Sequence, residues 1–282
     1  LIEHGKHIYD NLEYYEENTG NHYLSNISGL IYISGLLPKY SNSDKWLIFG
    51  LHELISEMDR EVYDDGFTHE ASTFYHRLVT EIFLSTSCLV EKMTTSRRKR
   101  ISSMNIDNFK TYPKISKDFI DQLDLSEGNQ ILPRAFYTKL KKMVDSFLSI
   151  NKPNGQIPQI GDNDSARLHK ISSFKDTNEL DHSHIFAVGG EIFNNQKFKS
   201  LGQKFKVESN IIVGDFNDKN NFFEDNENPD NKFFKNFGLG ILKNEKAWVS
   251  ITCGTNGQNK LGGHGHNDKN SFELNINSYD LD

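Results

Sequence analysis

The stretch FGLGILKNEKAWVSITC, residues 237–253, is where the chain changes from one type of secondary structure to another. On each side of the polar turn at 243–246, apolar residues recur at every second position, which is the period of a half-buried β-hairpin. Residues 272–276 alternate in the same way before a further turn at Asn277-Ser278. The stretch therefore predicts an antiparallel β-domain, and we expect residues 206–282 to contain only its start.

Upstream of residue 205 the apolar period is helical instead. Apolar side chains fall on one helix face in four long segments, and two shorter helices are expected after them. The predicted helices are 21–37, 44–60, 69–92 and 133–148, with shorter ones near 165–172 and 178–203. Asp44 is expected to cap the second helix and Pro133 to open the fourth. Successive helices of this kind fit an α/α toroid over residues 1–205, although a plain helical array has the same pattern.

Composition limits the classes of partner. The net charge of −7 argues against nucleic acid, because a phosphate backbone requires a basic surface, and no apolar run is long enough to span a membrane. The one dense basic cluster, Arg97–Arg100, is interpreted as a solvated helix end or loop. Cys88 and Cys253 are expected to be small buried residues without a disulfide. The chain begins without Met, and both ends look like cuts through a longer protein.

The loop Gly262-Gly263-His264-Gly265-His266-Asn267-Asp268 is the strongest candidate for chemistry. Alternate residues of an extended chain point the same way, so His264, His266 and Asp268 are expected to face one site. Two imidazoles and a carboxylate suit either metal binding or proton transfer. The loop does not match a phosphate-binding loop, because no helix follows it. The alternative is a polar surface turn in front of a strand.

Two further motifs lie at the starts of predicted helices. Asn21-His22-Tyr23 opens the first long helix, where free N–H groups and a partial positive charge attract carboxylates. An amide at that place donates to an anion without carrying charge, but a second capping residue beside a half-buried His fits equally well. The segment 65–77 leads into the third helix and ends on Tyr75-His76-Arg77, where a Tyr packed between helices is the alternative interpretation.

A fourth motif is the acidic loop Gly161-Asp162-Asn163-Asp164-Ser165-Ala166-Arg167. Its acids or Ser165 are expected to cap a following helix, and Arg167 is expected to pair with the acids. A structural loop is the default interpretation. The string lacks the closing Glu of an EF-hand, so it is a weak match to a calcium loop.

Taken together and in this order, the four motifs resemble the heparinase II/III family of polysaccharide lyases, which includes related alginate lyases. The resemblance runs over most of the chain from residue 20 onward, and the loop at 262–268 is its most specific part. It implies a multidomain α + β protein, in which a partial α/α toroid precedes the start of an antiparallel β-sandwich. Ala166 departs from the usual Gly of relatives, and the family toroid has many more residues before the Asn-His motif.

The resemblance also implies a reaction, the β-elimination of a uronic acid in an acidic polysaccharide or oligosaccharide. Asn21 would neutralise the uronate carboxylate, and Tyr75 would be the base, the acid or both. His22 and His264 would share the remaining proton transfer or electrostatic work. Contacts with substrate are expected at Tyr23, His76, Arg77 and Arg167.

The resemblance implies one structural divalent metal as well, either zinc or calcium. His266 is the candidate ligand, and a further acidic ligand would lie beyond Asp282. Two other functions stay open on the sequence: a carbohydrate-binding or polysaccharide-assembly protein without turnover, and a metal-dependent hydrolase built on the histidine loop. For a lyase of this family we expect a periplasmic or secreted bacterial protein.

Overall fold

A computed structural model describes residues 1–105, 117–164, 167–171, 178–214 and 231–281. Within these residues, the helical part comes first and the strands follow it, so the predicted order is confirmed. The helices are α1 Ile2–Asp10, α2 Asn21–Leu36, α3 Ser43–Glu61, α4 Thr73–Glu91, α5 Thr95–Ser102, α6 Arg134–Ile150, α7 Ser183–Ile192, α8 Gln196–Leu201 and α9 Lys206–Val213. In the described part of the chain, no helix is both long enough and apolar enough to cross a membrane.

The long helices share one hydrophobic core. Helix α2 packs on α3 and α4, and α4 continues the contact to α6 and α7. Their buried faces carry aliphatic and aromatic side chains at helical spacing, which is the pattern that predicted them. Burial of this apolar face, rather than helix propensity, stabilises helices of such length in a protein.

Several helix boundaries differ from the prediction. Helix α4 begins at Thr73 rather than at 69, because the Ser72 hydroxyl caps it by accepting from the N–H groups of Phe74 and Tyr75. Asp44 lies inside α3 and binds arginines instead of capping the helix. The predicted helix near 178–203 is divided into α7 and α8.

Two other parts of the helical prediction can be compared with the structure. Residues 167–171 are not helical, and residues 165, 166 and 172 of that predicted helix lie outside the described residues. The helical part also extends past the expected boundary at 205, since α9 packs on α7 and α4. The first strand begins only at Lys232.

The basic cluster is a structural feature of the helical part, not a solvated end. Arg97 donates to Asp44 Oδ1 at 2.9 Å, to the Ser34 carbonyl at 2.7 Å and to Ser43 Oγ at 2.8 Å. Arg98 is also buried, and its guanidinium donates to several backbone carbonyls of the segments beside α5. The first two arginines of the cluster therefore bind chain segments together.

The strands form one antiparallel meander in the order β1-β2-β3-β4-β5. Their bounds are β1 Lys232–Phe234, β2 Leu239–Lys243, β3 Ala247–Thr252, β4 Phe272–Ile276 and β5 Tyr279–Leu281. Leu239 pairs with Thr252 and Lys243 with Trp248, so the hairpin predicted at 237–253 is confirmed. Cys88 and Cys253 are free thiols, but Cys253 is exposed rather than buried as expected.

Aromatic side chains attach the sheet to the helical part. The ring of Phe67 stacks on Phe237 with centroids 4.3 Å apart and meets Phe234 edge-on at 4.7 Å. Lys152, after α6, pairs with Glu273 of β4 and with Asp280 of β5. These contacts fix the loop between β3 and β4 over the start of α4, which is where the candidate site lies.

Candidate active site

The first part of the site is the amino terminus of α2. Gly20 at the N-cap has no side chain to satisfy the free N–H groups, and the first turn contains no acid. Glu70, from the loop before α4, takes that place: its Oε1 accepts from the Asn21 backbone N–H at 2.8 Å. The Asn21 side-chain amide lies 3.2 and 3.3 Å from the two Glu70 oxygens. Asn21 and Glu70 are therefore held as a pair at a helix terminus that favours negative charge.

The second part is a stack of Tyr75 and His264. Their rings are nearly parallel, with centroids 3.6 Å apart and an interplanar angle of 18°. His264 Nε2 lies 3.7 Å from Glu70 Oε2, which joins the stack to the Asn21–Glu70 pair. The structure thus brings Asn21, Tyr75 and His264 together around Glu70.

Asp162 orients the histidine loop. Its Oδ2 accepts from His264 Nδ1 at 3.1 Å, its Oδ1 accepts from His266 Nε2 at 2.9 Å, and its backbone N–H donates to the His264 carbonyl at 2.8 Å. These hydrogen bonds lower the pKa of the Asp162 carboxyl. With Nδ1 protonated towards Asp162, the lone pair of neutral His264 is on Nε2, on the Glu70 side.

The acidic loop is tied to the start of α4. Ser72 Oγ donates to the Asp162 carbonyl at 2.8 Å, and the Thr73 N–H donates to the Ile160 carbonyl at 3.0 Å. Gly161 has a φ of +70°, and a Cβ there would lie 2.3 Å from the His264 carbonyl oxygen. Close approach of the acidic loop to the histidine loop therefore requires glycine at this position.

Tyr75 keeps its proton in this arrangement. Its hydroxyl donates to Asp164 Oδ2 at 2.5 Å. Burial and the hydrogen bond to Asp164 raise the pKa of Tyr75 well above its usual value. Burial raises the pKa of Glu70, although the donors on Asn21 and the nearby His264 act against the rise. At neutral pH the phenol of Tyr75 therefore keeps a proton that it can give up as an acid.

The four residues expected to contact substrate have their side chains in structural interactions. Tyr23 is fully buried and donates to Glu53 at 2.7 Å. His76 is fully buried, bonded to Ser146 Oγ at 2.8 Å and stacked on Phe147. Burial lowers the pKa of His76 to about 3, so the ring is neutral.

The two arginines expected to bind substrate also face inward. Arg77 is 2% exposed and donates to the Asp164 carbonyl at 3.1 Å. It thereby helps to hold Asp164, whose carboxylate accepts from the Tyr75 hydroxyl. Arg167 forms ion pairs with Glu81 and Glu208. Both guanidinium groups therefore bind partners inside the helical part.

His22 and His266 lie at the edge of the site. The His22 side chain is 73% exposed and pairs with Glu13 at 3.2 Å. His266 is half exposed and reaches Asp162. The loop at 262–268 is not extended as expected, since Gly262, Gly263 and His264 all have positive φ, and His264 and His266 converge on Asp162 through this turn instead.

Sequence reasoning gave no role to Glu70 or Gln258, and it gave Asp162 and Asp164 only helix capping or a pairing with Arg167. Glu70 lies in the segment 65–77 and the two aspartates lie in the acidic loop, so their position in these motifs was the available signal. Gln258 has no local signal. It reaches Glu70 Oε2 at 3.1 Å across 188 residues of sequence, a contact that only the folded chain creates.

One buried group in the described part of the chain has ligand atoms close enough to hold a metal. Glu61, His69 and Glu70 each offer an atom within 4.8 Å of the others. His69 Nδ1 is already 3.1 Å from the Asn259 amide nitrogen, so a metal would have to compete with that hydrogen bond. His266 and Asp162 supply two potential ligands at the surface, 2.9 Å apart.

Comparison with known proteins identifies the family. The model of the heparinase II/III N-terminus matches residues 1–111, and the model of the heparinase II/III-like C-terminal region matches 226–281, together more than half of the chain. The chain belongs to the heparinase II/III family. The two matched regions contain Asn21, Tyr75 and the histidine loop, and they agree with the resemblance that the four motifs carry.

Two curated heparin-sulfate lyases are similar to this chain. A heparin-sulfate lyase of Bacteroides thetaiotaomicron is 21% identical over 283 residues, which cover 93% of this chain and 32% of that protein. A heparin-sulfate lyase of Pedobacter heparinus is 23% identical over 153 residues, which cover 54% of this chain and 18% of that protein. The chain therefore spans about a third or less of the length of these relatives.

Solved structures of heparinases share the fold. A crystal structure of heparinase III matches with a TM-score of 0.65 at 18% identity, over 99% of this chain and 36% of that one. The heparan sulfate lyase of Pedobacter heparinus matches with a TM-score of 0.57 at 18% identity, over 98% of this chain and 33% of that one. The partial toroid followed by the start of an antiparallel β-domain is thus the fold of this family.

Proposed function

We propose that the protein is a polysaccharide lyase that cleaves a uronate-containing acidic polysaccharide by β-elimination. The observation that carries the proposal is the convergence of Asn21, Tyr75 and His264, from three separate segments, around one buried carboxylate. The family membership and the heparin-sulfate lyases among its relatives support the same reaction class.

In the proposed reaction, a base removes the C5 proton of the uronate, and the electron pair forms the C4–C5 double bond. The C4–O bond breaks, and the leaving oxygen takes a proton from an acid. His264 has its lone pair on Nε2 and is assigned as the base; Tyr75 keeps its proton and is assigned as the acid. Each transfer is commonly worth about 10²–10⁴-fold in rate.

Asn21 supplies the charge stabilisation. Its amide nitrogen bears two hydrogens and lies 3.2 and 3.3 Å from the two Glu70 oxygens. We assign one hydrogen to this shared contact and the second to a uronate carboxylate. Negative charge on that carboxylate grows as the C5 proton leaves, and a fixed donor stabilises the growing charge more than the ground state. His22 faces Glu13 in this structure, so we assign it no step.

We also propose His266, with Asp162 beside it, as part of a structural divalent-metal site. An imidazole and a carboxylate 2.9 Å apart suit zinc or calcium. Such an ion would stabilise the turn that holds His264. A chelator is expected to lower the melting temperature of the full-length protein, an effect that His266→Ala should remove.

The decisive assay uses the ultraviolet absorbance of the conjugated product. Full-length protein is incubated with a panel of uronate polymers, and the absorbance is followed. Tyr75→Phe is expected to lower kcat by about 10²–10⁴-fold while KM stays within a few-fold. Tyr15→Phe, at a tyrosine that is 71% exposed, is the matched control and should be unchanged.

Two results would contradict the proposal. Binding of a polymer by calorimetry without any product from the whole panel would favour a carbohydrate-binding protein on the same fold. Near-normal turnover by Tyr75→Phe would remove Tyr75 from the reaction.

The identity of the polysaccharide and the periplasmic or secreted location of the protein both stay predictions. Fractionation of the bacterial cells would test the location.

A further inference from the structure

Glu70 is the most connected polar group near the site, although it is itself fully buried. Three N–H groups converge on its carboxylate: the backbone and side chain of Asn21, and Nε2 of Gln258. An ionised carboxylate accepts all of them, so this set of donors fits the charged form. The amino terminus of α2 supplies the compensating partial positive charge.

The Glu70 carboxylate decides which way the Asn21 amide faces. The side-chain atom that lies 3.2 and 3.3 Å from the two carboxylate oxygens must be the NH₂ group, because a flipped amide would place its oxygen against the negative charge. This orientation sends the second amide hydrogen away from Glu70. Without the carboxylate, both orientations of the amide become accessible.

A chain of amides extends the same constraint to the β-domain. Gln258 uses its NH₂ group on Glu70, so its oxygen accepts from Asn18 Nδ2 at 2.9 Å. Asn18 then accepts from Asn259 Nδ2 at 3.0 Å, and that nitrogen lies 3.1 Å from His69 Nδ1. The charge on Glu70 therefore fixes the direction of every amide in the series.

Gly20 packs closely against the side chains of Glu70 and Gln258. A Cβ at Gly20 would lie 2.6 Å from Gln258 Nε2 and 3.1 Å from Glu70 Oε1. The Gln258 backbone N–H donates to the Gly263 carbonyl, next to His264 in the histidine loop. Glu70 thus contacts α2 on one side and, through Gln258, the segment that carries His264 on the other.

We propose that Glu70 is the positioning residue of the site, which orients the amide of Asn21 and holds the histidine loop in register with the helical part. It acts through Asn21 and Gln258, and its carboxylate also lies 3.7 Å from His264 Nε2. This inference rests on the proposed lyase function. It predicts that replacing the Glu70 carboxylate by an amide of the same shape slows the step in which Asn21 stabilises the growing negative charge of the uronate.

The test compares Glu70→Gln, Asn21→Ala and the double variant in the full-length protein. Glu70→Gln is expected to lower kcat by about 10²–10³-fold with little change in KM. The double variant should lie within about threefold of Asn21→Ala, because both changes remove one function. Glu245→Gln, an exposed carboxylate in the β2–β3 turn, is the control and should be unchanged.

The outcomes separate the two proposals. Full activity of Glu70→Gln, or multiplicative effects in the double variant, would overturn the positioning role while Asn21→Ala still confirms the site. If the wild-type protein produces no unsaturated product, the lyase proposal fails, and unfolding decides the role of Glu70. In that case, each variant is described by the factor by which it raises the equilibrium constant for unfolding. The factor of the double variant should be at least about tenfold smaller than the product of the two single-variant factors. A double-variant factor within about threefold of that product would overturn the inference.

Discussion

Substitution of Gly161 by alanine tests whether the close contact of the acidic loop with the histidine loop positions His264. Gly161 has a φ of +70°, where an alanine is strained by roughly 1–2 kcal/mol. Its new Cβ would also lie 2.3 Å from the His264 carbonyl oxygen and 2.6 Å from the Ala71 carbonyl oxygen. Overpacking of this kind typically costs about 1–3 kcal/mol more. We therefore expect Gly161→Ala to cost about 2–5 kcal/mol in total.

Gly155 provides a matched control for the backbone strain. Its φ is +82°, but a Cβ there has nothing within 4 Å, so Gly155→Ala incurs the strain without the clash. Urea unfolding of the two variants should differ by about 1–3 kcal/mol. The lyase assay should fall by about 10²-fold in Gly161→Ala alone, because a shift of about 1 Å at His264 is enough. Equal unfolding free energies and equal activities would refute the reasoning.

Two further predictions concern stability. Arg97→Lys is expected to lower the free energy of unfolding in urea by about 2–4 kcal/mol. The reason is that one ammonium group cannot replace the guanidinium donors to Ser34, Ser43 and Asp44. Lys99→Ala, in the same cluster, should change it by no more than about 0.5 kcal/mol. The pKa of His76 is lowered by burial to about 3 from an ordinary 6.5. Between pH 6.5 and 3 the unfolded chain binds a proton at His76 that the folded chain does not, so the free energy of unfolding falls as the pH falls. His76→Gln should therefore reduce the slope of unfolding free energy against pH in this range by up to about 1.4 kcal/mol per pH unit. An unchanged slope, or a Lys99→Ala cost equal to that of Arg97→Lys, would contradict these assignments.

The sequence allowed prediction of the elements and of the residues that meet at the site. Apolar side chains at helical spacing predicted α2, α3, α4 and α6, because burial of one face is what stabilises those helices. The alternation at 237–253 predicted the β2–β3 hairpin for the corresponding reason in a sheet. The order of the four motifs identified Asn21, Tyr75 and His264 before any contact between them was known.

The sequence did not show which neighbours of these residues face inward. Tyr23 and His76 each lie one or two positions from a site residue, but a helix turns by about 100° per residue, so they point into the core. Glu70 and Gln258 are placed by contacts between distant segments, which leave no local pattern. Arg97 was misread for the same reason, since its partners in α2 and α3 are far away in sequence.

The central claim is that bond cleavage occurs by elimination at a uronate and not by attack of water. The most direct measurement is turnover of a uronate polymer in ¹⁸O-labelled water, with mass analysis of the two new chain ends. The account predicts an unsaturated, ultraviolet-absorbing end on one product and no ¹⁸O incorporated at the cleaved bond. It also predicts that Tyr75→Phe loses the absorbing end without gaining ¹⁸O. Incorporation of one ¹⁸O per cleavage without absorbance would show a hydrolase and contradict the mechanism.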